Sequence, residues 1–503
     1  MSEYLHGAYG VVQTAGNKVA EKNEGGVIVY IGTAPVHLRA LADGESYPVN
    51  RPVLCNNIAE AKALLGYSEN WADYTLCEAM HAHFDLNGVG PLVFINVLDP
   101  TKAAHKDATE TSVSKTPSGG RIVIASAENA IIDSVSVFTQ DSTPVEKTKG
   151  TDYTVSYNAD KKQLIITEIG SGLGTDALTI KYTKIKPSGV SSADVIGTTD
   201  GMGANTGLYC VDDVYPLTGL IPSYLCVPGF SATPAVHNAM KAVSKKIGGH
   251  WDAYMFADLP LTDGATPLTL ATVAAYKEAN GYNADNETVY FPLAKGTDGK
   301  IYHLSVLAAA NFHALLLQND GIPFMVASNT EAAIIENLYL GADNEHRLYN
   351  DSIINKYLNK YGIASACFSS GRWVLWGCHS ADFNPDNATE INVAETNLMM
   401  LYYVSNDFQN RRSRDVDKPV SINDIKAIAS EEQTRIDALL SVHALLEGSR
   451  VRLNASADAK SDIVNGDFSF IFDLTPTPIA RSLKAYVNWT DEGFTTYFEA
   501  IAE

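Results

Sequence analysis

Apolar residues follow two patterns along the chain: continuous short runs separated by helical stretches, and strict alternation near the carboxyl end. Val27–Ile31 and Leu92–Leu98 are continuous runs, whereas Ile58–Leu65 and Trp71–Phe84 between them have helical spacing. Buried strands joined by helices are typical of an α/β sheet covered on both faces. The pattern resumes after the glycine-rich stretch 197–207. We therefore predict an α/β core, a mixed sheet flanked by helices, in two parts at 21–99 and 197–384.

Residues 100–196 interrupt this pattern and differ from it in residue composition and in the spacing of apolar residues. Lys102–Gly120 is polar and predicts a linker. The turn Asn158–Lys161 predicts a hairpin between two of the short strands that follow. Together these features predict an inserted antiparallel β-sandwich domain. Its predicted strands are Arg121–Ala125, Ser134–Thr139, Tyr153–Tyr157, Gln163–Glu168 and Ala177–Thr183.

Helix starts are marked by capping residues and prolines. Thr233-Pro234 and Thr266-Pro267 each predict the first turn of a helix in the second part of the core. Ser421 and Asp424 resemble a capping box, so a helical stretch is expected from there to about Glu447. Residues 385–490 are therefore predicted to form an α+β C-terminal domain.

The carboxyl end shows the alternation of half-buried strands three times. The third strand, in the arm 491–503, has no later segment of the chain to pair with. We therefore expect it to be a sheet edge or to pair with a neighbouring molecule. We expect the first two to form a receiving sheet and the third to be an arm strand. The alternating residues are Phe468, Phe470 and Phe472, then Leu483, Val487 and Trp489, then Phe494, Thr496, Phe498 and Ala500.

The amino end, residues 1–20, predicts a second arm. Tyr9, Val11 and Val12 lie between glycines in a weakly apolar segment that is too short to fold alone. A disordered tail and a strand-forming arm fit this segment about equally well. The two extended terminal arms suggest that the chain assembles with copies of itself.

The composition of the chain argues against several classes of function. The formal net charge is −21, with 37 Lys and Arg against 58 Asp and Glu, which argues against nucleic-acid binding. The start, Met1–Tyr4, carries no signal segment and no apolar run spans a bilayer, so neither secretion through a signal nor membrane insertion is expected. The six cysteines lack zinc or redox spacing and are expected to be buried free thiols.

Candidate chemistry is sparse, and no catalytic residue, metal or cofactor is predicted. His81 and His83 point to different sides of a helix, and nothing orients Cys367 and His379 as a pair. Gly201-Met202-Gly203 lacks the spacing of a dinucleotide site. The basic run Arg411, Arg412 and Arg414 is either a solvated helix end or a contact with an acidic patch on another copy.

A series of short motifs is spread along nearly the whole chain: Gly25–Pro35, Tyr224–Gly229, Trp251–Pro260, Tyr290–Pro292, Gly321–Pro323 and Arg372–Gly377. The order of these motifs and of the predicted parts resembles the contractile tail sheath proteins of phages. Many sheaths have an arginine-threonine pair where Cys378-His379-Ser380 stands here.

The resemblance implies a structural subunit that forms six-fold rings stacked helically around a tail tube protein. Baseplate and tail terminator proteins would be further partners. It also implies that terminal arms add strands to neighbouring subunits, and that contraction drives the tube through the target envelope. The particle would be a virion tail or a contractile bacteriocin, assembled in the host bacterial cytoplasm. The alternative from the residues is an α/β hydrolase-like enzyme with a β-sandwich accessory domain, in which polar groups would converge at the carboxyl ends of strands.

Overall fold

A computed structural model describes residues 26–42, 44–341, 349–386, 388–389, 391–454 and 464–502. The α-helices are α1 Ile58–Leu65, α2 Thr75–Met80, α3 Ser192–Ile196, α4 Val214–Thr218, α5 Pro234–Val243, α6 Val273–Ala279, α7 Leu304–Gln318, α8 Asp351–Tyr357, α9 Glu395–Arg412, α10 Ile422–Ser441 and α11 Glu492–Ala502. The strands are β1 Val27–Gly32, β2 Pro52–Cys55, β3 Leu92–Asn96, β4 Thr111–Lys115, β5 Arg121–Ala125, β6 Ser136–Thr139, β7 Glu146–Lys147, β8 Tyr153–Asn158, β9 Gln163–Glu168, β10 Leu178–Tyr182, β11 Pro222–Cys226, β12 Tyr254–Asp258, β13 Thr262–Asp263, β14 Thr266–Pro267, β15 Glu287–Tyr290, β16 Leu293–Gly296, β17 Ile301–Tyr302, β18 Ile335–Tyr339, β19 Ile363–Ser369, β20 Arg372–Trp376, β21 Arg450–Leu453 and β22 Phe470–Asp473.

Eight strands form the central sheet, in the order β2-β3-β1-β11-β12-β15-β19-β20. The six inner strands run parallel, and the edge strands β2 and β20 run antiparallel to their neighbours. Alternate residues of β1 enter different cores: Ile28 and Tyr30 join one apolar cluster, and Val29 and Ile31 join the other. Both faces are buried, which confirms the mixed α/β core predicted from the continuous apolar runs.

Between β3 and β11 the chain forms two small antiparallel sheets, β4-β10-β6-β7 and β5-β9-β8. Ile122, Val137 and Leu164 belong to one apolar cluster that both sheets share. The predicted hairpin is confirmed, because β8 pairs with β9 and places Asn158 opposite Gln163.

The chain enters and leaves this inserted segment at a single place. Lys106 and Ile185 form an antiparallel bridge, and the Asp107 N–H donates to the Lys184 carbonyl at 2.9 Å. The insertion is therefore joined to the core by two adjacent stretches of backbone and has its own apolar cluster. It also contacts the core through side chains, since the Tyr47 hydroxyl donates to Asp133 at 2.7 Å.

Two local predictions are wrong. The polar stretch Lys102–Gly120 is not only a linker, because it contains the edge strand β4, whose single apolar residue gives no clear alternation. Thr266–Pro267 does not open a helix; it pairs with Thr262–Asp263, and the next helix begins at Val273. The two-residue loop of this hairpin is Gly264-Ala265, and a glycine with a positive φ at the first loop position is a hairpin signal that here outweighs the Thr-Pro helix signal.

The C-terminal part is built on α9, α10 and the β21–β22 pair. Met400, Val404, Ile436 and Leu439 form its apolar cluster, against which Phe472 packs. The capping box at the start of α10 is confirmed: the Ser421 N–H donates to the Asp424 carboxylate at 2.7 Å, and the Asp424 N–H donates to the Ser421 hydroxyl at 3.3 Å. These contacts fix the direction of α10 relative to the loop that follows α9.

Buried carboxylates fix the start of α7 at the carboxyl ends of the parallel strands. Asp258, the last residue of β12, accepts from the Ser305 N–H at 3.1 Å and from the Ser305 hydroxyl. Glu78 accepts from the His303 N–H at 2.5 Å, and its second oxygen lies 2.7 Å from His303 Nδ1. Burial opposes protonation of His303, but the Glu78 charge and hydrogen bond prevail and raise the pKa of His303 to about 9.

We expect this pair to make stability depend on pH. Because the folded pKa of His303 lies above its unfolded value of about 6.5, its stabilisation is complete below pH 6.5 and is lost as pH rises through 9; it amounts to about 3 kcal/mol. In His303→Gln the free energy of unfolding should change less between pH 6.5 and 9. Denaturant titrations at several pH values measure this. The exposed His250→Gln is the control, and equal pH slopes in the His303 variant and the parent chain would contradict the assignment.

We also expect the insertion to be dispensable for folding of the core. Replacing residues 107–184 by a Gly-Ser linker joins Lys106 to Ile185, which are already bridged. Scanning calorimetry should show one cooperative transition, with an enthalpy reduced roughly in proportion to the residues removed. Loss of cooperative unfolding would show that the insertion is integral to the core.

Candidate assembly surface

The strands β21 and β22 form a two-stranded sheet whose inner face rests on the C-terminal helices. The ring of Phe408 in α9 lies 5.8 Å from that of Phe470 and 5.5 Å from that of Phe472. The Val451 N–H in β21 donates to Gln433 Oε1 in α10 at 2.8 Å. Among the described residues no strand pairs with the outer edge of β22. Two strands alone are marginally stable in water, so this edge favours a further strand.

Only some of the residues predicted for the receiving sheet lie in a strand, and the receiving role itself stays a prediction. Phe470 and Phe472 lie in β22, and Phe468 just precedes it. Leu483, Val487 and Trp489 do not form a strand in the isolated chain, which corrects that part of the prediction. Alternation shows that a segment suits a strand, but a ladder also needs a partner edge, and this segment meets none within the described ranges.

The chain after β22 is anchored briefly and then leaves the body. The Thr475 N–H donates to Ser449 Oγ at 3.0 Å, and the Thr477 hydroxyl donates to the His443 carbonyl at 2.6 Å. Residues 482–490, which we call the free segment, make no hydrogen bond to the described residues that precede them. Its large apolar side chains are 80% to 92% exposed: Leu483, Tyr486, Val487 and Trp489.

The last element, α11, contradicts the predicted third strand. Phe494, Thr496, Phe498 and Ala500 lie in a helix, not in alternating strand positions. The strand prediction, based on every second residue, left out Tyr497 and Ile501. Together with Phe494 and Phe498, these two residues have the helical spacing i, i+3, i+4, i+7. The Glu492 N–H donates to Thr490 Oγ1 at 3.2 Å. Threonine followed by two acidic residues was the helix-start signal that the prediction missed.

A groove of about 510 Å³ opens beside the β21–β22 pair. It lies between the start of α9 and the chain that flanks the two strands, and we call it the terminal groove. Its lining is largely apolar, so it suits an apolar side-chain cluster better than a polar ligand. The lining includes Ile391, Val393, Leu401, Leu446, Leu474 and Pro476. The other arm residues, Tyr9, Val11 and Val12, lie outside the described residues.

The basic run is engaged within its own chain. Arg411 binds both oxygens of Glu432 at 2.7 Å, and Arg412 Nε donates to Glu432 Oε1 at 2.8 Å. Burial raises the pKa of Glu432, but the two guanidinium groups prevail and lower it overall. Arg414 follows in the short turn Ser413–Asp415. A contact of Arg411, Arg412 and Arg414 with another copy stays a prediction.

We expect the Glu432 cluster to stabilise the packing of α9 on α10. Glu432 is 2% exposed, so Glu432→Gln leaves two guanidinium groups without their buried charge partner and should lower the free energy of unfolding by roughly 3 kcal/mol. Glu431, which is 64% exposed and also pairs with Arg412, is the matched control: Glu431→Gln should cost less than about 1 kcal/mol. Urea titrations compare them; similar losses in both variants would contradict a buried role for Glu432.

The histidines considered from the sequence have different surroundings. His81 Nδ1 lies 3.2 Å from Asp85, whereas the buried His83 contacts the Tyr30 hydroxyl at 2.7 Å and His313 at 3.2 Å. His379 stacks on Phe383 with ring centres 3.7 Å apart. Within the described ranges no group of three His, Cys, Asp or Glu residues could hold a metal ion, and no helix is long and apolar enough to cross a membrane.

The prediction of buried free thiols is confirmed for all six cysteines. At the carboxyl ends of the strands, the polar groups Asp258, Ser305, Glu78 and His303 bond to one another and to the start of α7. These groups already have partners, and their contacts account for how α7 is held in place.

Comparison with known proteins gives the class of this fold. A chain in the baseplate structure of the anti-feeding prophage matches with a TM-score of 0.55 at 12% identity, over 97% of this chain and all of that one. A chain of the contracted helical sheath of the same prophage matches with a TM-score of 0.53 at 13% identity, over 96% of this chain and all of that one. The fold is therefore the one found in contractile sheaths.

The sequence points to the same class. Over 264 residues it is 29% identical to a tail sheath protein of Burkholderia phage BcepMu. The alignment covers 52% of this chain and 50% of that protein, so this chain spans about half the length of the curated relative it matches. No family model matches the sequence. The resemblance to contractile tail sheath proteins of phages is confirmed, and the comparisons give no support to the hydrolase alternative.

Proposed function

We propose that this chain is the structural subunit of a contractile tail sheath. The proposal rests on three features that occur together on one chain: the fold found in sheaths, a strand edge that no other described strand pairs with, and an apolar free segment. Subunits stack in six-fold rings around a tail tube, and contraction drives the tube through the target envelope. The role is structural and not enzymatic.

Strand exchange links the subunits. The free segment of one copy lies along the outer edge of β22 in another, with Leu483, Val487 and Trp489 on one face of the added strand. Each backbone hydrogen bond contributes about 1 kcal/mol net. Residues Tyr9, Val11 and Val12 of the amino-terminal arm form a second donor strand for the sheet of another neighbour. Since the sequence prediction assigned the free segment to the receiving sheet, this proposal reassigns it as a donor.

Such links tolerate large movements of the bodies that they join. A backbone ladder depends on the donor and the acceptor edge and little on the angle between subunits. Side-chain contacts between bodies can therefore be remade during contraction while the ladders persist. The extended state is metastable, and the free energy of contraction is stored in contacts between subunits.

The proposal includes the partners and place of the particle. Besides its own copies, the subunit contacts the tail tube protein, the baseplate and the tail terminator, in a phage tail or a capsid-less contractile particle assembled in the host bacterial cytoplasm. Residues 21–99 and 197–384 form its core, and 100–196 an inserted β-sandwich. The C-terminal domain spans 385–490, and the two arms are 1–20 and 491–503, with the free segment adding to the latter.

Removal of the linking segment should abolish assembly and leave the body folded. A chain that ends after Arg481 keeps the anchor at Thr475 and Thr477. We expect it to unfold cooperatively like the parent chain and to stay monomeric in light scattering and electron microscopy. Deletion of residues 1–20 should also prevent long tubes.

Point variants in the free segment provide a matched control. Leu483→Ser with Val487→Ser alters one face of the added strand and should reduce tube formation strongly. Lys484→Ser with Asn488→Ser alters the opposite face and should leave tubes intact. Tubes of normal length from the chain truncated after Arg481 would contradict strand exchange through this segment.

A further inference from the structure

We propose that α11 docks by its apolar face into the terminal groove of a second copy of this chain. The inference rests on the proposed function and deepens it, because it names the surface that receives the end of the linking segment. Strand exchange through residues 482–490 does not require it, so the two can fail separately.

The apolar face of α11 has no partner in the described part of its own chain. Phe494, Tyr497, Phe498 and Ile501 are 55% to 65% exposed, and the rings of Tyr497 and Phe498 contact each other edge to face at 6.0 Å. Their i, i+3, i+4, i+7 spacing places all four on one stripe. Amphipathic helices that carry four such anchors typically bind in an apolar groove.

The terminal groove matches that stripe in chemistry and size. Val393 and Leu401 of the α9 region form one wall, and Leu446, Leu474 and Pro476 form the other. At about 510 Å³ it can take several large side chains of a helix face. An exposed apolar stripe and an apolar groove on the same molecule are complementary surfaces that water would otherwise cover.

The position of the groove suits a helix that follows an added strand. Leu474 comes directly after β22, so the groove lies at the end toward which β22 runs. A donor strand that runs parallel to β22 along its outer edge would end at the groove. The helix α11 begins at Glu492, three residues after Trp489, the last apolar position of the free segment. One continuous donor would thus place its strand on the edge and its helix in the groove.

Charge favours the same arrangement. Arg450 and Arg452 both pair with the single carboxylate of Asp473 beside the groove, which leaves one positive charge in excess. Asp491 and Glu492 bring two negative charges at the start of the donor helix. Opposite charges at the rim favour the correct orientation of the docked helix.

A second copy is the occupant that this geometry favours. The donor face and the acceptor groove are different surfaces of one chain, so their contact is head-to-tail and generates rings or helical arrays. In the chain's own structure the stripe stays exposed and does not pack in the chain's own groove. Head-to-tail docking therefore agrees with the helical assembly proposed above.

Disulfide trapping between differently tagged full-length chains tests the contact. One chain carries Val393→Cys in the groove and the other carries Phe498→Cys on the stripe. The six native cysteines are buried and so give little background. After mixing and mild oxidation, we expect mixed-tag disulfide dimers to form at least about tenfold faster than in the control pair, in which Ile422→Cys on the exposed start of α10 replaces Val393→Cys.

Each outcome decides the proposal. Mixed-tag dimers specific to Val393→Cys support it. A disulfide formed only within a chain that carries both substitutions shows that α11 occupies its own groove and overturns it. Tubes without any trapped dimer overturn the docking and leave the proposed function standing. Absence of tubes from the parent chain at any concentration overturns both.

A matched pair of charge variants gives an independent readout of the same face. Phe498→Asp introduces a charge on the stripe and should reduce the yield of tubes at least about tenfold. Ala500→Asp introduces the same charge off the stripe and should leave the yield unchanged. Equal effects of the two variants would show that the apolar face is not what docks.

Discussion

A strand edge exposes backbone N–H and C=O groups that need hydrogen-bond partners, and no strand in the described part of this chain pairs with the outer edge of β22. The β21–β22 sheet is too small to be stable on its own and is held by Phe408 and Gln433 of the helices beneath it. The free segment lacks the other half of such a ladder, since its apolar residues alternate as in a strand but it meets no strand edge among the described residues. The strand exchange proposed above would join the two without any specialised chemistry.

The α/β body differs because it has two extensive apolar clusters of its own. Its parallel strands are buried on both faces, and the polar groups at their carboxyl ends are satisfied by one another, as Asp258 with Ser305 and Glu78 with His303 show. In the proposed sheath, such a body would keep its fold without its neighbours. Separate linking elements would then allow the subunits to rearrange without unfolding.

Much of the fold could be predicted from local patterns. Ile58–Leu65 and Arg121–Ala125 were predicted to the residue, because apolar period and flanking polar residues agree there. The Ser421–Asp424 capping box was predicted because its two hydrogen bonds join residues three apart. The strand β4 was missed because an exposed edge strand contains few apolar residues, and its identity depends on Leu178–Tyr182 far along the chain.

The assembly surface was less predictable. The bidentate partner of Arg411, Glu432, lies on another helix, and nothing near Arg411 in the sequence indicates it. The carboxyl end was predicted as strand throughout, because Phe494, Thr496, Phe498 and Ala500 fit period two as well as Phe494, Tyr497, Phe498 and Ile501 fit the helix. Short apolar runs support both interpretations, and tertiary partners usually decide between them. Leu483–Trp489 has the alternation of a strand but forms none, because a strand also needs a partner edge and no local pattern shows whether one is available.

If the chain assembles as proposed, its buried thiols have a consequence for the particle. Burial raises the pKa of Cys77 to about 12 and that of Cys378 to about 11, so hardly any reactive thiolate exists at neutral pH. A tube built from such chains could pass from the reducing interior of a cell into an aerated medium without cross-linking its rings covalently. Disulfide formation would then neither cross-link the subunits nor limit how long the particle remains able to contract.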